Sequence, residues 1–223
     1  LPGATTIGAA APKAARPLRT RRTKLLIGFG GYPSFAPCLG AKLLRLPLVL
    51  HEQGTTFSLA NRKLLPMATH VALSFPLDHP VAQEARTRHT GPAVRAAIAA
   101  VAQSPYPSLD GPIDLLVVGG SQSASIFAET VPDALCALPD GLRRRLRLSL
   151  QYRGEDDTAI IARLAEAGIA TEIAPFFHDM ADRLVKAHLV ITRAGASTAA
   201  DLAAVGRPAI FVPIPAGGSV GEQ

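Results

Sequence analysis

Residues 189–215 constrain the fold more than any other part of the chain. They read LVITRAGASTAADLAAVGRPAIFVPIP. The apolar, β-branched run 189–192 is typical of a buried parallel strand, and a second such run ends the stretch. Ser197 opens the helix predicted between the two runs, and Gly206 followed by Pro208 ends it. The stretch therefore predicts a strand–turn–helix–strand unit of an α/β protein.

The turn before this helix is a candidate phosphate site. Small residues at a helix N-terminus leave backbone N–H groups open to a ligand, and the helix dipole adds partial positive charge there. Asp201 follows Ser197 by four residues and shares its helix face, where a carboxylate can accept hydrogen bonds from ribose hydroxyls. An ordinary β–α turn with a Ser or Thr cap has the same pattern, so the residues alone leave both interpretations open.

Apolar strands and helices alternate along the rest of the chain. The further predicted strands are residues 24–29, 47–50, 70–75, 113–118, 146–151 and 170–175. Helices between such strands predict an α/β fold with parallel sheets and right-handed crossovers. A loop rich in Pro and Gly suggests two halves, 24–95 and 96–223. Residues 1–23 contain three prolines, which should interrupt a helix, so we expect that segment to be poorly ordered.

Composition narrows the class of protein. The net charge of +6 suits partners that carry phosphate or an anionic lipid surface. Aromatic residues make up only 5% of the chain and do not interleave with basic ones, so we expect no nucleic-acid partner. The basic run 143–147 predicts a solvated helix face or a contact with an anionic membrane. Cys38 and Cys136 lack metal-ligand spacing and are interpreted as free thiols.

Six motifs follow one another in an informative order. They are GFGGYPS (28–34), LVLHEQ (48–53), HTGPAVR (89–95), VVGGSQ (117–122), FFHDM (176–180) and RAGASTAADLAAVGRP (193–208). In order and spacing they resemble the MurG family of bacterial peptidoglycan glycosyltransferases. The resemblance implies the GT-B architecture, in which two Rossmann-like domains with parallel sheets face each other across a cleft. Here both domains are expected to be truncated.

The same resemblance implies a reaction and its partners. N-acetylglucosamine would pass from UDP-N-acetylglucosamine to lipid I, forming lipid II, in an inverting step without a metal or other cofactor. The implied location is the cytoplasmic face of the bacterial inner membrane, where the protein would be peripheral and contact an anionic membrane surface.

Residue roles follow from the resemblance motif by motif. The implied UDP-N-acetylglucosamine-binding residues are Arg95, Ser121, Phe177, Ala196, Ser197, Thr198, Asp201 and Gln223. The implied acceptor-side residues are Gly30, Gly31, Tyr32, His51, Glu52 and Asn61. Asp201 stands where the family usually has Glu. His51 and Glu52 are cleft candidates, but the family loop GGTGGH, which carries the favoured base, is absent from the sequence, so no base is assigned.

The sequence departs from the family at several positions. Gly54 replaces the Asn after HEQ, and Ser123 and Ser125 replace a Gly and an Arg. Family segments before and after the chain are missing, so we expect a fragment with weak or no activity by itself. The alternatives are a UDP-sugar binding module or structural remnant without turnover, and a basic remnant associated with membranes or nucleic acid.

Overall fold

The structure, a computed structural model, describes residues 4–79, 86–119, 125–154 and 156–213. The chain divides into two compact units, unit 1 from Leu1 to Ala93 and unit 2 from Val94 to Gly221. This division lies two residues before the predicted boundary, which followed Arg95.

Unit 1 contains a parallel sheet with helices between its strands. Its elements are α1 (Ala4–Thr20), β1 (Leu26–Gly28), α2 (Phe35–Leu43), β2 (Leu48–Glu52), α3 (Leu59–Leu64), β3 (His70–Leu73) and β4 (Thr87–His89), with short 3₁₀ turns at Tyr32–Ser34 and Leu65–Met67. The described strands pair in parallel in the order β1-β2-β3-β4. The apolar runs predicted as strands form β1, β2 and β3, because their Leu and Val side chains fill the core of the unit.

Helix α1 lies where poorly ordered chain was expected. Pro12 and Pro17 are both inside it. The helix is rich in small residues and packs closely against α2, where a Cβ on Gly40 would lie 2.8 Å from the backbone nitrogen of Ala15. Ala11 is buried, at 6% exposure. The expectation for residues 1–23 weighed the lost proline N–H groups and missed this packing, which stabilises a helix despite them.

Unit 2 contains a second parallel sheet. Its elements are α4 (Ala96–Ala99), β5 (Ile113–Val118), α5 (Ser125–Cys136), α6 (Asp140–Arg143), β6 (Leu146–Gln151), α7 (Thr158–Glu166), β7 (Ala170–Ala174), α8 (Met180–Lys186), β8 (Leu189–Thr192), α9 (Ala196–Val205) and β9 (Ala209–Phe211). The described strands run in the order β7-β6-β5-β8-β9. Because β6 and β8 flank β5 on opposite sides, the order changes direction there, and parallel sheets bind ligands at such switch points.

The stretch 189–215 folds as predicted over its described residues, forming β8, α9 and β9. Gly206 ends α9 with φ 71° and ψ 44°, a left-handed conformation that glycine adopts without strain. Leu202 and Val205 face the core of the unit together with Val190. The apolar face of α9 thereby fixes how the N-terminus of the helix meets the end of β8.

Both cysteines are free thiols, as predicted. Cys38 is buried against the sheet of unit 1, and burial raises the pKa of its thiol to about 11. None of the helices in the described ranges has the length and apolar character needed to cross a membrane.

Candidate functional site

A pocket of about 260 Å³ lies in unit 2 beside the switch point. Val118 and Thr192, the last residues of β5 and β8, line it together with Thr198 and Asp201 of α9. The carboxyl ends of two neighbouring strands therefore meet a helix N-terminus around one cavity. This is the arrangement that suits a nucleotide in an α/β sheet.

The N-terminus of α9 begins at Ala196, and its N-cap residue is Gly195. Ser197 is exposed and Thr198 half-buried, both inside the first turn. The sequence left open an ordinary helix capped by Ser or Thr, but the cap position holds a residue without a side chain. The first N–H groups of α9 are therefore not capped by the N-cap residue, which is what a phosphate site requires.

Asp201 and Arg95 form an ion pair at this pocket. Arg95 Nη2 donates to Asp201 Oδ2 over 2.6 Å. The Asp201 side chain is 10% exposed and that of Arg95 is 62% exposed, so the carboxylate lies inward and the guanidinium faces solvent. Both residues were predicted to contact the donor, one at the ribose and one at the diphosphate. The structure brings them together as partners.

The two phenylalanines of the FFHDM motif have different surroundings, although both line the pocket. Phe177 is buried at 3% exposure, and the guanidinium of Arg183 stacks 3.9 Å from its ring centre. Phe176 is 52% exposed. Phe177 is thus a core residue at the edge of the pocket, whereas Phe176 offers an open aromatic face.

Two further residues, at the end of β6 and directly after it, line the pocket without having been predicted from the motifs. Gln151 is buried, and its Nε2 donates to the carbonyl of Pro175 over 3.2 Å. Arg153 Nε donates to the same carbonyl over 3.3 Å. Polar residues at a strand end were the signal, because such residues face the crevice of a parallel sheet. Of the predicted donor residues, Ser121 and Gln223 lie outside the described residues.

The acceptor-side prediction in unit 1 falls on a buried polar cluster around Glu52. Its Oε1 accepts from the backbone N–H groups of Gln53 at 3.0 Å and Gly54 at 3.3 Å. Its Oε2 accepts from the backbone N–H of Ser58 at 2.9 Å and from Asn61 Nδ2 at 2.8 Å. Four donors therefore occupy this carboxylate, which holds the loop after β2 against the start of α3.

His51 and Asn61 belong to the same cluster. Asn61 Nδ2 also donates to the backbone carbonyl of His51 over 3.0 Å, and His51 Nε2 lies 3.3 Å from Ser74 Oγ. His51 Nδ1 and Asn61 Oδ1 are buried and have no hydrogen-bond partner among the described residues. Each side chain thus keeps one polar atom that a ligand could use.

The glycines of the GFGGYPS motif adjoin this cluster. Gly30 and Gly31 have φ values of 78° and 71°, which disfavour other residues. A Cβ on Gly30 would lie 3.2 Å from Asn61 Nδ2, so the glycine also makes room for that amide. Tyr32 begins the following 3₁₀ turn and is 59% exposed.

Two domain profiles of one family match the chain. The N-terminal domain of glycosyltransferase family 28 matches residues 2–73, and the C-terminal domain of that family matches residues 114–223. The first matched range ends before the predicted boundary after Arg95, and the second begins after it.

Curated proteins with high similarity share one name. The UDP-N-acetylglucosamine–N-acetylmuramyl-(pentapeptide) pyrophosphoryl-undecaprenol N-acetylglucosamine transferase of Methylorubrum extorquens is 47% identical over 215 residues, which are 94% of this chain and 58% of that protein. The enzyme of that name from Acidiphilium cryptum is 49% identical over 191 residues, 85% of this chain and 52% of that protein. The chain thus spans just over half the length of these relatives.

Solved structures agree on the fold. MurG of Acinetobacter baumannii superposes with a TM-score of 0.77 at 30% identity, over 98% of this chain and 61% of that one. A UDP-GlcNAc 2-epimerase from Neisseria meningitidis reaches a TM-score of 0.60 at 10% identity, over 92% of this chain and 63% of that one, which concerns the fold alone. The predicted α/β fold of the GT-B type, with two parallel sheets, is confirmed.

Proposed function

The chain belongs to glycosyltransferase family 28, and on that premise we propose that it is part of an N-acetylglucosaminyltransferase of peptidoglycan synthesis. The reaction transfers N-acetylglucosamine from UDP-N-acetylglucosamine to lipid I and forms lipid II. The observation that carries the proposal is the pocket of unit 2, where a carboxylate and a guanidinium lie beside an open helix N-terminus.

The donor binds in that pocket through groups of three kinds. Backbone N–H groups at the start of α9, from Ala196 to Thr198, hold the diphosphate together with Arg95. Asp201 accepts hydrogen bonds from the ribose hydroxyls. The uracil lies against the backbone of Phe177. Ser121 and Gln223 stay predictions for the phosphate and the sugar.

The transfer is a single displacement. The acceptor hydroxyl oxygen attacks the anomeric carbon of the donor, the bond from that carbon to the diphosphate oxygen breaks, and the hydroxyl loses its proton to a base. Negative charge grows on the departing UDP. Arg95 and the N–H groups of α9 lower the barrier because they stabilise that charge.

The acceptor contacts unit 1 at the end of β2. The carboxylate of Glu52 is occupied by four donors, so we assign it to shaping the loop rather than to proton transfer. His51 keeps a ring nitrogen without a partner in the described part of the chain and is the better candidate for contact with the acceptor. Gly30 borders the same cluster, and Gly31 and Tyr32 follow Gly30 in the chain.

Unit 1 also has the charge needed to contact an anionic membrane. The sequence has no acidic residue before Glu52. Six basic residues in the second half of α1 and directly after it are exposed, namely Lys13, Arg16, Arg19, Arg21, Arg22 and Lys24. Each contributes about 1 kcal/mol of attraction near an anionic surface. We therefore propose that this segment lies on the cytoplasmic face of the bacterial inner membrane, where the lipid acceptor is embedded.

The basic run 143–147 suits the membrane less well, because its arginines already have partners. Arg143 and Arg144 pair with Asp140, and Arg147 pairs with Asp114. Arg145 donates to the backbone carbonyls of Leu109 and Gly111. The interpretation of this run as a solvated surface fits these contacts better than a membrane contact does.

Calorimetric titration with UDP-N-acetylglucosamine tests the proposal. The purified chain should bind, and Asp201→Ala should weaken binding about tenfold because the ribose hydroxyls lose their acceptor. Asp114→Ala is the matched control, because Asp114 is also paired with an arginine but lies outside the pocket. This variant should bind the donor as wild type does. A folded chain that binds no donor would overturn the proposal. Donor binding without transfer to a lipid I analogue on anionic vesicles would favour a UDP-sugar binding module.

A further inference from the structure

The ion pair in the pocket joins two segments that are far apart in the sequence. Arg95 directly precedes α4, and Asp201 lies in the second turn of α9. Their side chains meet over 2.6 Å, and both line the cavity of about 260 Å³. The guanidinium proposed to bind the diphosphate and the carboxylate proposed to bind the ribose are thus hydrogen-bonded to each other in this structure.

The two partners are unequal in their surroundings. The Asp201 side chain is 10% exposed, whereas the Arg95 side chain is 62% exposed. Within the described residues, the contact with Asp201 Oδ2 is the one hydrogen bond of the Arg95 guanidinium. An arginine has five N–H donors in a planar fork, so most of its capacity faces solvent.

Such a pair can be displaced by a ligand. Solvent screens an ion pair with an exposed partner, so the pair contributes little stability. A diphosphate offers several anionic oxygens in a geometry that the guanidinium fork matches, which makes it a stronger partner than one carboxylate oxygen. The inner carboxylate, once released, needs a new donor because leaving a buried charge without a partner is unfavourable.

We propose that nucleoside diphosphate binding exchanges this ion pair. The diphosphate replaces Asp201 as the partner of Arg95, and the ribose hydroxyls replace Arg95 as the donors to Asp201. The inference rests on the proposed donor site and adds a cause of selectivity to it. A nucleoside without phosphate must break the pair without giving Arg95 a new partner, and inorganic pyrophosphate leaves Asp201 without one. The pocket therefore favours ligands that carry both groups.

Ligand affinities can distinguish the exchange from a simpler role, in which Arg95 only orients the Asp201 carboxylate. If Arg95 only oriented the Asp201 carboxylate for the ribose, its loss would weaken the binding of every ligand that has a ribose. If the pair is exchanged, loss of Arg95 releases Asp201 for uridine and at the same time removes a phosphate contact. Uridine and UDP should then respond to the same substitution in opposite directions.

The test is a titration of the full chain with uridine and with UDP, each compared between wild type and Arg95→Ala. Uridine, detected by its competition with UDP, should bind Arg95→Ala about two- to fivefold more tightly, the amount that an exposed ion pair contributes. UDP should bind the variant about tenfold more weakly because a charge-assisted contact is lost. Raising the salt concentration should strengthen uridine binding to wild type, because salt screens the pair.

Arg147→Ala is the matched control. Arg147 pairs with Asp114 over the same distance of 2.6 Å and is 53% exposed, but it does not line this pocket. Loss of Arg147 should leave the affinities for uridine and for UDP unchanged. Circular dichroism should show that Arg95→Ala and Arg147→Ala are both folded.

Each other outcome counts against the proposal. Uridine binding that stays equal or falls in Arg95→Ala would overturn the exchange, and so would UDP binding that the variant leaves unchanged. A folded wild-type chain that binds no UDP would overturn the proposed donor site and this inference with it.

Discussion

Glu52 in unit 1 and Asp201 in unit 2 are both acidic and both buried, with 4% and 7% of the whole residue exposed. Their partners differ in kind. Three backbone N–H groups and the amide of Asn61 occupy the Glu52 carboxylate. Asp201 accepts from the guanidinium of Arg95, a side chain that is largely in solvent.

The comparison shows that burial alone does not separate structural from functional carboxylates. The donors to Glu52 belong to the loop that the carboxylate organises, so they cannot leave unless the loop opens. The donor to Asp201 can turn toward another anion at little cost, because solvent already screens the pair. We therefore expect substitutions at Glu52 to change stability and substitutions at Asp201 to change binding.

The largest expected effect is on stability at Glu52. Glu52→Ala leaves several donors without an acceptor and should lower the free energy of unfolding of unit 1 by about 3 kcal/mol. Urea denaturation of the full chain measures it. Asp78→Ala is the control, since Asp78 accepts from Thr55 Oγ1 at an exposed position, and it should cost less than about 0.5 kcal/mol. Equal effects of the two substitutions would contradict our view of the Glu52 cluster.

Arg207 tests whether the hydrogen-bond partners of a charged residue, rather than the unit in which it lies, decide between an effect on stability and an effect on binding. It lies in unit 2 but is buried, and its guanidinium donates to six backbone carbonyls, of Ser104, Pro105, Leu184, Val185, Val205 and Gly206. Several of these end α8 and α9, where carbonyl groups lack helical partners. Burial lowers the pKa of Arg207, so its charge is tolerated rather than favoured there.

Arg207→Met should therefore behave like a substitution at Glu52. We expect a loss of about 2 kcal/mol in the free energy of unfolding, because the carbonyls lose their donor. UDP binding by the folded variant should be unchanged. Arg163→Met, which removes an exposed partner of Asp133, is the control with little expected effect. A large loss of UDP affinity without loss of stability would break the comparison.

Asp201→Asn should show the opposite behaviour. The amide keeps the size of the side chain but removes the charge, so UDP affinity should fall about tenfold while stability changes by less than about 0.5 kcal/mol. Calorimetry and urea denaturation on the same preparation measure both quantities. Glu52→Gln is the matched substitution and should lower stability without weakening UDP binding. The comparison fails if both variants respond alike.

The smallest expected effect is on how the stability contributed by Asp179 depends on pH. Hydrogen bonding to Arg183 lowers the pKa of Asp179 in the folded chain. A carboxylate with a lowered folded pKa contributes stability above its unfolded pKa of about 3.9 and loses that contribution as the pH falls through the folded value. Asp179→Asn should thus be slightly less stable than wild type near neutral pH, and the difference should shrink as the pH falls below the unfolded pKa. A difference that grows on acidification would contradict the assignment.

Much of the fold could be predicted because its signals are local. Apolar runs gave the bounds of β5, β6 and β8 and placed β2 within two residues, and Gly206 ended α9 as expected. Strand β4 was missed because its residues, Thr87 to His89, have no apolar run of their own. They form a strand by pairing with β3, where Leu73 lies opposite His89. Helix α1 was misjudged because its stability comes from packing on α2.

For the candidate site, too, the sequence indicated the residues but not their contacts. The sequence resemblance indicated Asp201, Arg95, Glu52 and Asn61, which lie in α9, directly before α4, at the end of β2 and in α3. It did not indicate that Arg95 and Asp201, 106 residues apart, would bind each other, or that Glu52 would be fully occupied. Residue type and spacing do not report the partner of each group. Arg95 reaches Asp201 from a distant segment, and the donors to Glu52 depend on how the loop after β2 folds back.

The sequence by itself therefore determined the parallel α/β fold, the order of its main elements and the family. Periodicity, caps and glycine positions act within a few residues and can be read directly. Only the tertiary structure decided that several donors occupy Glu52 and that Asp201 pairs with a largely exposed arginine. Hydrogen-bond partners and solvent exposure depend on the conformation of loops and on contacts between distant segments, and both exist only once the chain has folded.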